Sequence, residues 1–159
     1  MYHTYLASDV ALSEVELATE VLSIREAVER AIVSPDFFDV EELSEEELNA
    51  PNGIMVLKDG YGIAIQRYED EELADIFNKT YLYEVQLVAD EAEQVAKVYG
   101  LLYDYLITCE VPVEIWEAKA GLEEYVEGTT VTLAQLTASD LEKFLETEHQ
   151  GTTRRLNLV

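Results

Sequence analysis

The 159-residue chain has one cysteine, Cys109, and only ten lysines and arginines against 34 aspartates and glutamates. One thiol allows no intramolecular disulfide and offers no metal-ligand spacing, so a reducing compartment is expected. The shortage of bases leaves a formal charge of −24. Nucleic acid and anionic lipid bind through Lys and Arg, so direct DNA, RNA or membrane binding is disfavoured. No apolar run approaches the roughly 18 residues that span a bilayer. Met1 to Val10 lacks the basic start and apolar stretch of a signal peptide, and a cytoplasmic protein is the expectation. Also missing are a G-x-S-x-G elbow, a Walker loop, a dinucleotide-binding glycine pattern and an EF-hand. Hydrolase, nucleotide and calcium readings therefore find no support, and no cofactor or metal is implied.

What the chain does have is apolar material. Hydrophobic residues make up 48%, including ten tyrosines and one tryptophan, which argues for a packed core despite the charge. The length suits a single domain over residues 1–150. Residues 151–159 show no hydrophobic period, hold the adjacent pair Arg154 and Arg155, and read as a mobile tail.

Periodicity places the elements. Ser13-Glu14-Val15-Glu16 reads as a capping box, and Ile24, Ala27, Val28, Ala31 and Ile32 form a helical stripe. A helix from Ser13 or Ser23 to Val33 follows, stopped at Ser34-Pro35. Residues 54–58 and 61–65 flank Asp59-Gly60, the dipeptide of a two-residue hairpin turn. Pairing Lys58 with Tyr61 sets Val56 opposite Ile63 and Ile54 opposite Ile65, and two apolar faces make this hairpin central. Tyr81 to Val88 alternates as a half-buried strand, and Asp90-Glu91 opens a helix with the stripe Val95, Val98, Tyr99, Leu102 and Leu106. Residues 111–118 and 129–136 read as strands, and Thr137-Ala138-Ser139-Asp140 opens a short helix. The fold expected is α+β: a largely antiparallel sheet with a central hairpin (54–65), two main helices (about 13–33 and 90–108) and a short C-terminal helix.

The hairpin has a functional corollary. Glu41, Glu42, Glu45, Glu46 and Glu47 precede its first strand, while Glu69, Asp70, Glu71, Glu72 and Asp75 follow its second. An antiparallel hairpin brings its open ends together, so these carboxylates should gather at one pole that a basic partner would neutralise. Alternatively they lie in the first turns of short helices, where the macrodipole favours them, and face water.

For catalysis the candidates are carboxylates in apolar strands, Glu84 and Glu114, because burial raises a carboxyl pKa toward the working pH. Glutamates on the solvent face of a half-exposed strand look the same in sequence. Tyr81, Tyr83, Tyr103 and Tyr105 could line a small-molecule cleft with them, or pack at the rim of the core. His3 and His149 sit in no zinc-like spacing, and the latter, beside Glu146 and Glu148 at a helix end, suits the dipole.

Four stretches resemble a group of small uncharacterised bacterial proteins: YHTYLASD (2–9), FNKTYLYEV (77–85), Glu114-Ile115-Trp116, and LAQLTASDLEKFL (133–145). They cover about a quarter of the chain. In that group a glycine- and cysteine-rich segment follows the tyrosine strand; here Gln86 to Asp90 leads into a helix instead. The resemblance implies a bacterial cytoplasmic protein without an established activity, and it transfers no functional residue. The expectation is thus an acidic, non-enzymatic interaction module for a basic protein, of immunity, inhibitor or charge-mimic type. The alternative is a small-molecule-binding domain or enzyme using the tyrosine-lined cleft. A monomer or weak homodimer is expected, any pairing running through an edge near Pro112 or through Leu156 to Val159.

Overall fold

A computed structural model describes residues 2–119, 126–146 and 153–159. Among these residues the elements run β1 (Tyr2–Ser8), β2 (Thr19–Ser23), α1 (Ile24–Glu29), α2 (Glu45–Asn49), β3 (Pro51–Leu57), β4 (Tyr61–Arg67), α3 (Glu71–Phe77), β5 (Tyr81–Ala89), α4 (Val95–Cys109), β6 (Val113–Lys119), β7 (Val126–Val131), α5 (Ala138–Glu146) and β8 (Thr153–Leu158). The fold is α+β, as expected, with a mostly antiparallel sheet. Its residue contacts divide into two units, one of residues 1–17 and 61–159 and the other of residues 18–60.

The larger unit is built on a six-stranded sheet in the order β4-β5-β1-β6-β8-β7, antiparallel except for the parallel pair β7 and β8. Side chains alternate across each strand, so the register sorts them onto two faces. One face holds Leu6, Ile63, Ile65, Tyr83, Val85, Val113, Ile115, Leu156 and Leu158, and α4 and α5 cover it with Val98, Tyr99, Leu102, Leu106, Leu141 and Phe144. The stripe expected on α4 is thus the buried one. Thr137 and Asp140 cap α5 reciprocally: the Thr137 N–H donates to Asp140 Oδ2 at 3.0 Å and the Asp140 N–H donates to Thr137 Oγ1 at 3.2 Å. The other face carries a smaller cluster of Tyr5, Ala7, Leu82 and Trp116, covered by Phe77 of α3, whose ring stacks 4.1 Å from that of Trp116.

The smaller unit pairs β2 with β3 antiparallel. Ser23 and Glu26 form a capping box on α1, and Ser44 and Glu47 form another on α2. Arg25 joins the two helices, its Nε donating to Asn49 Oδ1 at 2.9 Å and its Nη2 to Glu45 Oε2 at 2.6 Å. Leu22, Ile24, Ala27 and Leu48 are its buried apolar residues.

Several expectations are corrected. Asp59 and Gly60 both take positive φ, 63° and 78°, yet β3 and β4 do not pair with each other. β3 pairs with β2, so Val56 faces Glu20, and β4 pairs with β5, so Ile63 faces Leu87. A turn dipeptide fixes a local change of direction; it does not choose a partner, and β5 offers β4 a seven-residue register. Of the two starts expected for the first helix, Ser13 and Ser23, the second is the one observed, and α1 stops short of Val33. Val15 bridges Ile65, with both N–H···O contacts at 2.8 Å, and the capping box that operates is the one ten residues downstream of Ser13. α1 then ends at Ala31, φ 56°, in a Schellman closure where Ile32 N–H reaches Ala27 O at 2.9 Å and Ala31 N–H reaches Val28 O at 3.0 Å. Finally, residues 153–158 of the supposed tail form β8, inserted between β6 and β7. Neither Pro112, which precedes β6, nor Leu156 to Leu158 therefore lies at a sheet edge. The strand expected over 129–136 ends at Val131 and gives way to a turn at Leu133–Gln135. His149 and residues 151–152 lie outside the described residues.

α4 also closes on a left-handed residue, Glu110, with φ 55°. A side chain there costs about 1 kcal/mol that glycine avoids, and a carboxylate at a helix C-terminus opposes the dipole. Glu110→Gly should therefore raise the urea midpoint, adding about 1 kcal/mol with an unchanged slope.

Candidate functional site

The two acidic segments fall in different units. Glu41 and Glu42 lie in a short 3-10 turn, Val40–Glu42, and Glu45, Glu46 and Glu47 fill the first turn of α2; all five are exposed. Glu69, Glu71, Glu72 and Asp75 are exposed around α3, and Asp70 caps that helix by accepting from the Leu73 N–H at 3.0 Å. Without a β3–β4 hairpin, the reason for expecting one common pole is gone. The local placement matches the alternative, with acids in first turns where the free N–H groups and the macrodipole favour them. Glu47 illustrates it: hydrogen bonds from Ser44 hold its carboxyl below the usual carboxylate range.

The residues of the expected cleft are divided by the sheet. Tyr81, Tyr83, Tyr103 and Tyr105 belong to the face under α4. The Tyr83 hydroxyl accepts from the Leu12 N–H at 2.8 Å, and the Tyr105 hydroxyl donates to Ser13 O at 2.7 Å. Glu84 and Glu114 lie on the opposite face, because Glu84 is opposite Tyr5 and Glu114 is opposite Ala7. A one-residue difference in strand parity thus separates the glutamates from the tyrosines. Tyr105 does border a cavity of about 330 Å³, shared with Ser13, Val15, Asp104, Thr108 and Cys109. Burial pushes the Cys109 thiol up, partly offset by a hydrogen bond with Tyr105, so it is not activated as a nucleophile.

The face bearing the glutamates is the richer in polar chemistry. His3 Nδ1 lies 3.9 Å from Glu84 Oε1, and the Tyr5 ring sits 5.5 Å from Tyr68 and 5.7 Å from Phe77. Trp116 Nε1 donates to Glu114 Oε2 at 2.9 Å, and Arg155, one of the supposed tail residues, lies over the Trp116 ring at 5.5 Å. A buried carboxylate exists, but it is Glu117, 6% exposed, with Thr4 Oγ1 donating to its Oε1 at 2.7 Å. Register sets Arg154 opposite Glu117 and alongside Glu127. The signal was available in principle: Glu117 is three positions after Glu114, and an odd spacing along a strand puts them on opposite faces. Among the described residues no group of acids, histidines and cysteine could hold a metal ion, and no helix is long and apolar enough to cross a membrane.

Comparison with family models, with curated proteins and with solved structures found no match.

Burial, followed by the neighbouring Tyr68, Glu84 and Asp70, pushes Tyr5 up to about 12 from its ordinary 10.0. The folded state therefore holds this proton to higher pH than the unfolded chain does. The resulting stability is complete below pH 10.0 and is lost as pH rises through about 12. Tyr105, also raised by burial, acts in the same direction. Urea midpoints should fall across that window, and Tyr5→Phe should flatten part of the fall.

Proposed function

We propose that the protein is a non-enzymatic interaction module that binds a basic partner, in the manner of an immunity protein, an inhibitor or a charge mimic. The observation that supports this reading is where the few cations are held. Among the described residues, Arg25, Arg30 and Lys79 pair with Glu45, Glu20 and Asp9 at 2.6, 2.6 and 3.1 Å. Three other bases lie on rings instead: Arg67 at 4.5 Å from Tyr81, Lys97 at 5.5 Å from Tyr61 and Arg155 at 5.5 Å from Trp116. Basic charge directed to aromatic faces does little to neutralise carboxylates, so the exposed acids of Glu41 to Glu47 and of Glu69 to Asp75 stay in excess over nearby bases.

Exposed pairs contribute only about 0–1 kcal/mol each in water, whereas a field summed over many like charges speeds and orients encounter with an opposite surface. Binding of this kind is anionic and surface-borne, and it needs no buried catalytic group. It is assigned to the acidic segments Glu41 to Glu47 and Glu69 to Asp75, one in each unit.

The test is affinity capture at low salt followed by a salt gradient, with the wild-type chain beside Glu45→Gln/Glu46→Gln and Glu71→Gln/Glu72→Gln double variants. A basic protein should be retained and released as salt passes about 0.2 M, where screening shortens to under roughly 8 Å. At least one double variant should release it earlier. Retention indifferent to salt, or equal for all three chains, would refute the reading.

A further inference from the structure

One hollow of the larger unit belongs to neither acidic segment. It is the cavity of about 330 Å³ between residues 13–15 and the last two turns of α4, bordered by Ser13, Val15, Asp104, Tyr105, Thr108 and Cys109. That volume falls within the range of small-molecule pockets, about 300–1,000 Å³. Val15 exchanges both backbone hydrogen bonds with Ile65 at 2.8 Å, and the Tyr105 hydroxyl donates to Ser13 O at 2.7 Å, so the segment and the helix are tied in place on either side of it. Ser13, Asp104 and Thr108 are exposed, which leaves the cavity open to solvent.

The lining is apolar with one charge. Val15, the Tyr105 ring and the Cys109 thiol supply hydrocarbon, π surface and sulfur, and burial pushes the thiol pKa up, so it stays neutral. The Tyr105 hydroxyl is committed to Ser13 O, and Thr108 Oγ1 donates its proton to Asp104 O at 2.6 Å. Asp104 is the charged residue at the cavity, and among the described residues no ion pair holds its carboxylate. The helix adds to this negative potential. Its carbonyl end lies here, its last turn holds no basic residue, and Glu110 follows at the cap.

We propose that this cavity binds a small primary amine with an apolar body, its ammonium at the Asp104 carboxylate and its body against Val15 and Tyr105. Charge and lining together decide between ligand classes. An anion would meet Asp104, the negative end of α4 and a net charge of −24. A neutral apolar molecule would use the walls and leave the carboxylate unused. Methylammonium would reach the carboxylate but has almost no apolar area to bury against the walls. An arylalkyl ammonium does both, and its N–H donors suit the acceptors left at the rim, the Asp104 carboxylate and the Thr108 hydroxyl oxygen. The site uses no residue of Glu41 to Glu47 or of Glu69 to Asp75, so it is independent of the binding of a basic protein.

Cys109 is the one cysteine in the chain, so its reaction with a neutral pyridyl disulfide reports on the cavity. The full chain should be titrated at neutral pH and constant ionic strength with benzylamine, benzyl alcohol and methylamine in parallel. Benzylamine should slow the thiol saturably, and the other two should need about tenfold higher concentration for the same protection. Asp104→Asn keeps the shape of an exposed side chain and should bring benzylamine down to the level of benzyl alcohol. In the unsubstituted protein the backbone amide resonances of Val15, Tyr105 and Thr108 should move with benzylamine along the same curve, a readout that does not depend on the variant. Benzyl alcohol acting as strongly as benzylamine, or benzylamine undiminished by Asp104→Asn, would mean that the carboxylate takes no part. Methylamine acting as strongly would mean that the walls take none, and no response to benzylamine would mean that the cavity holds only water; each of these results overturns the proposal.

Discussion

Everything in the larger unit follows from the alternation of side chains along β1. This strand lies inside the sheet, between β5 and β6, and its neighbouring residues point in opposite directions. Leu6 enters the core beneath α4 and α5, while Tyr5 and Ala7 enter the aromatic cluster under α3. The two antiparallel registers carry that choice outward, to Tyr83 and Ile115 on one face and to Leu82 and Trp116 on the other. Sliding either neighbour by one residue would exchange the faces, burying Glu84 or Glu114 and exposing the core. Both faces are covered at the centre of the sheet, so there is little freedom in how these strands meet.

The elements written in a local pattern could be read from the residues. The stripe of α4, the alternation of β5 and the Thr137-to-Asp140 opening of α5 each need only a few neighbouring positions, and each stands where the periodicity put it. Where partner choice was needed, sequence was silent. Asp59-Gly60 supplies the left-handed residues of a tight reversal, but nothing within reach of that turn shows that β2 and β5 compete for the strands beside it and win. The segment 13–33 looked helical because its spacing fits, and pairing of Val15 with Ile65 and of β2 with β3 draws its first half into extended backbone.

The site was legible to a similar depth. Glu84 and Glu114 stand out as charges in apolar strands, and they do share a face; their expected tyrosine companions sit on the reverse. Arg155 and Asn157 read as loose ends of the chain because the alternation that places them, Arg155-Leu156-Asn157-Leu158, spans only four residues behind an adjacent arginine pair. Only the register gives them neighbours. The carboxylates flanking α2 and α3 were visible as a run of charge, and their capping roles follow from the serine and aspartate that precede each helix.

The placement of β8 has a consequence for how the molecule comes into being. β7 hydrogen-bonds to β8 alone among the described strands, and β8 is the last of them in the chain. A chain emerging from the ribosome would therefore hold β1, β5 and β6 in their ladder while β7 waits, its backbone groups served by water, until residues 153–158 arrive to fill the gap. During that interval the apolar face of β6 and the unsatisfied edge of β7 are both open, and the repulsion among so many carboxylates would keep one half-made chain from pairing with another.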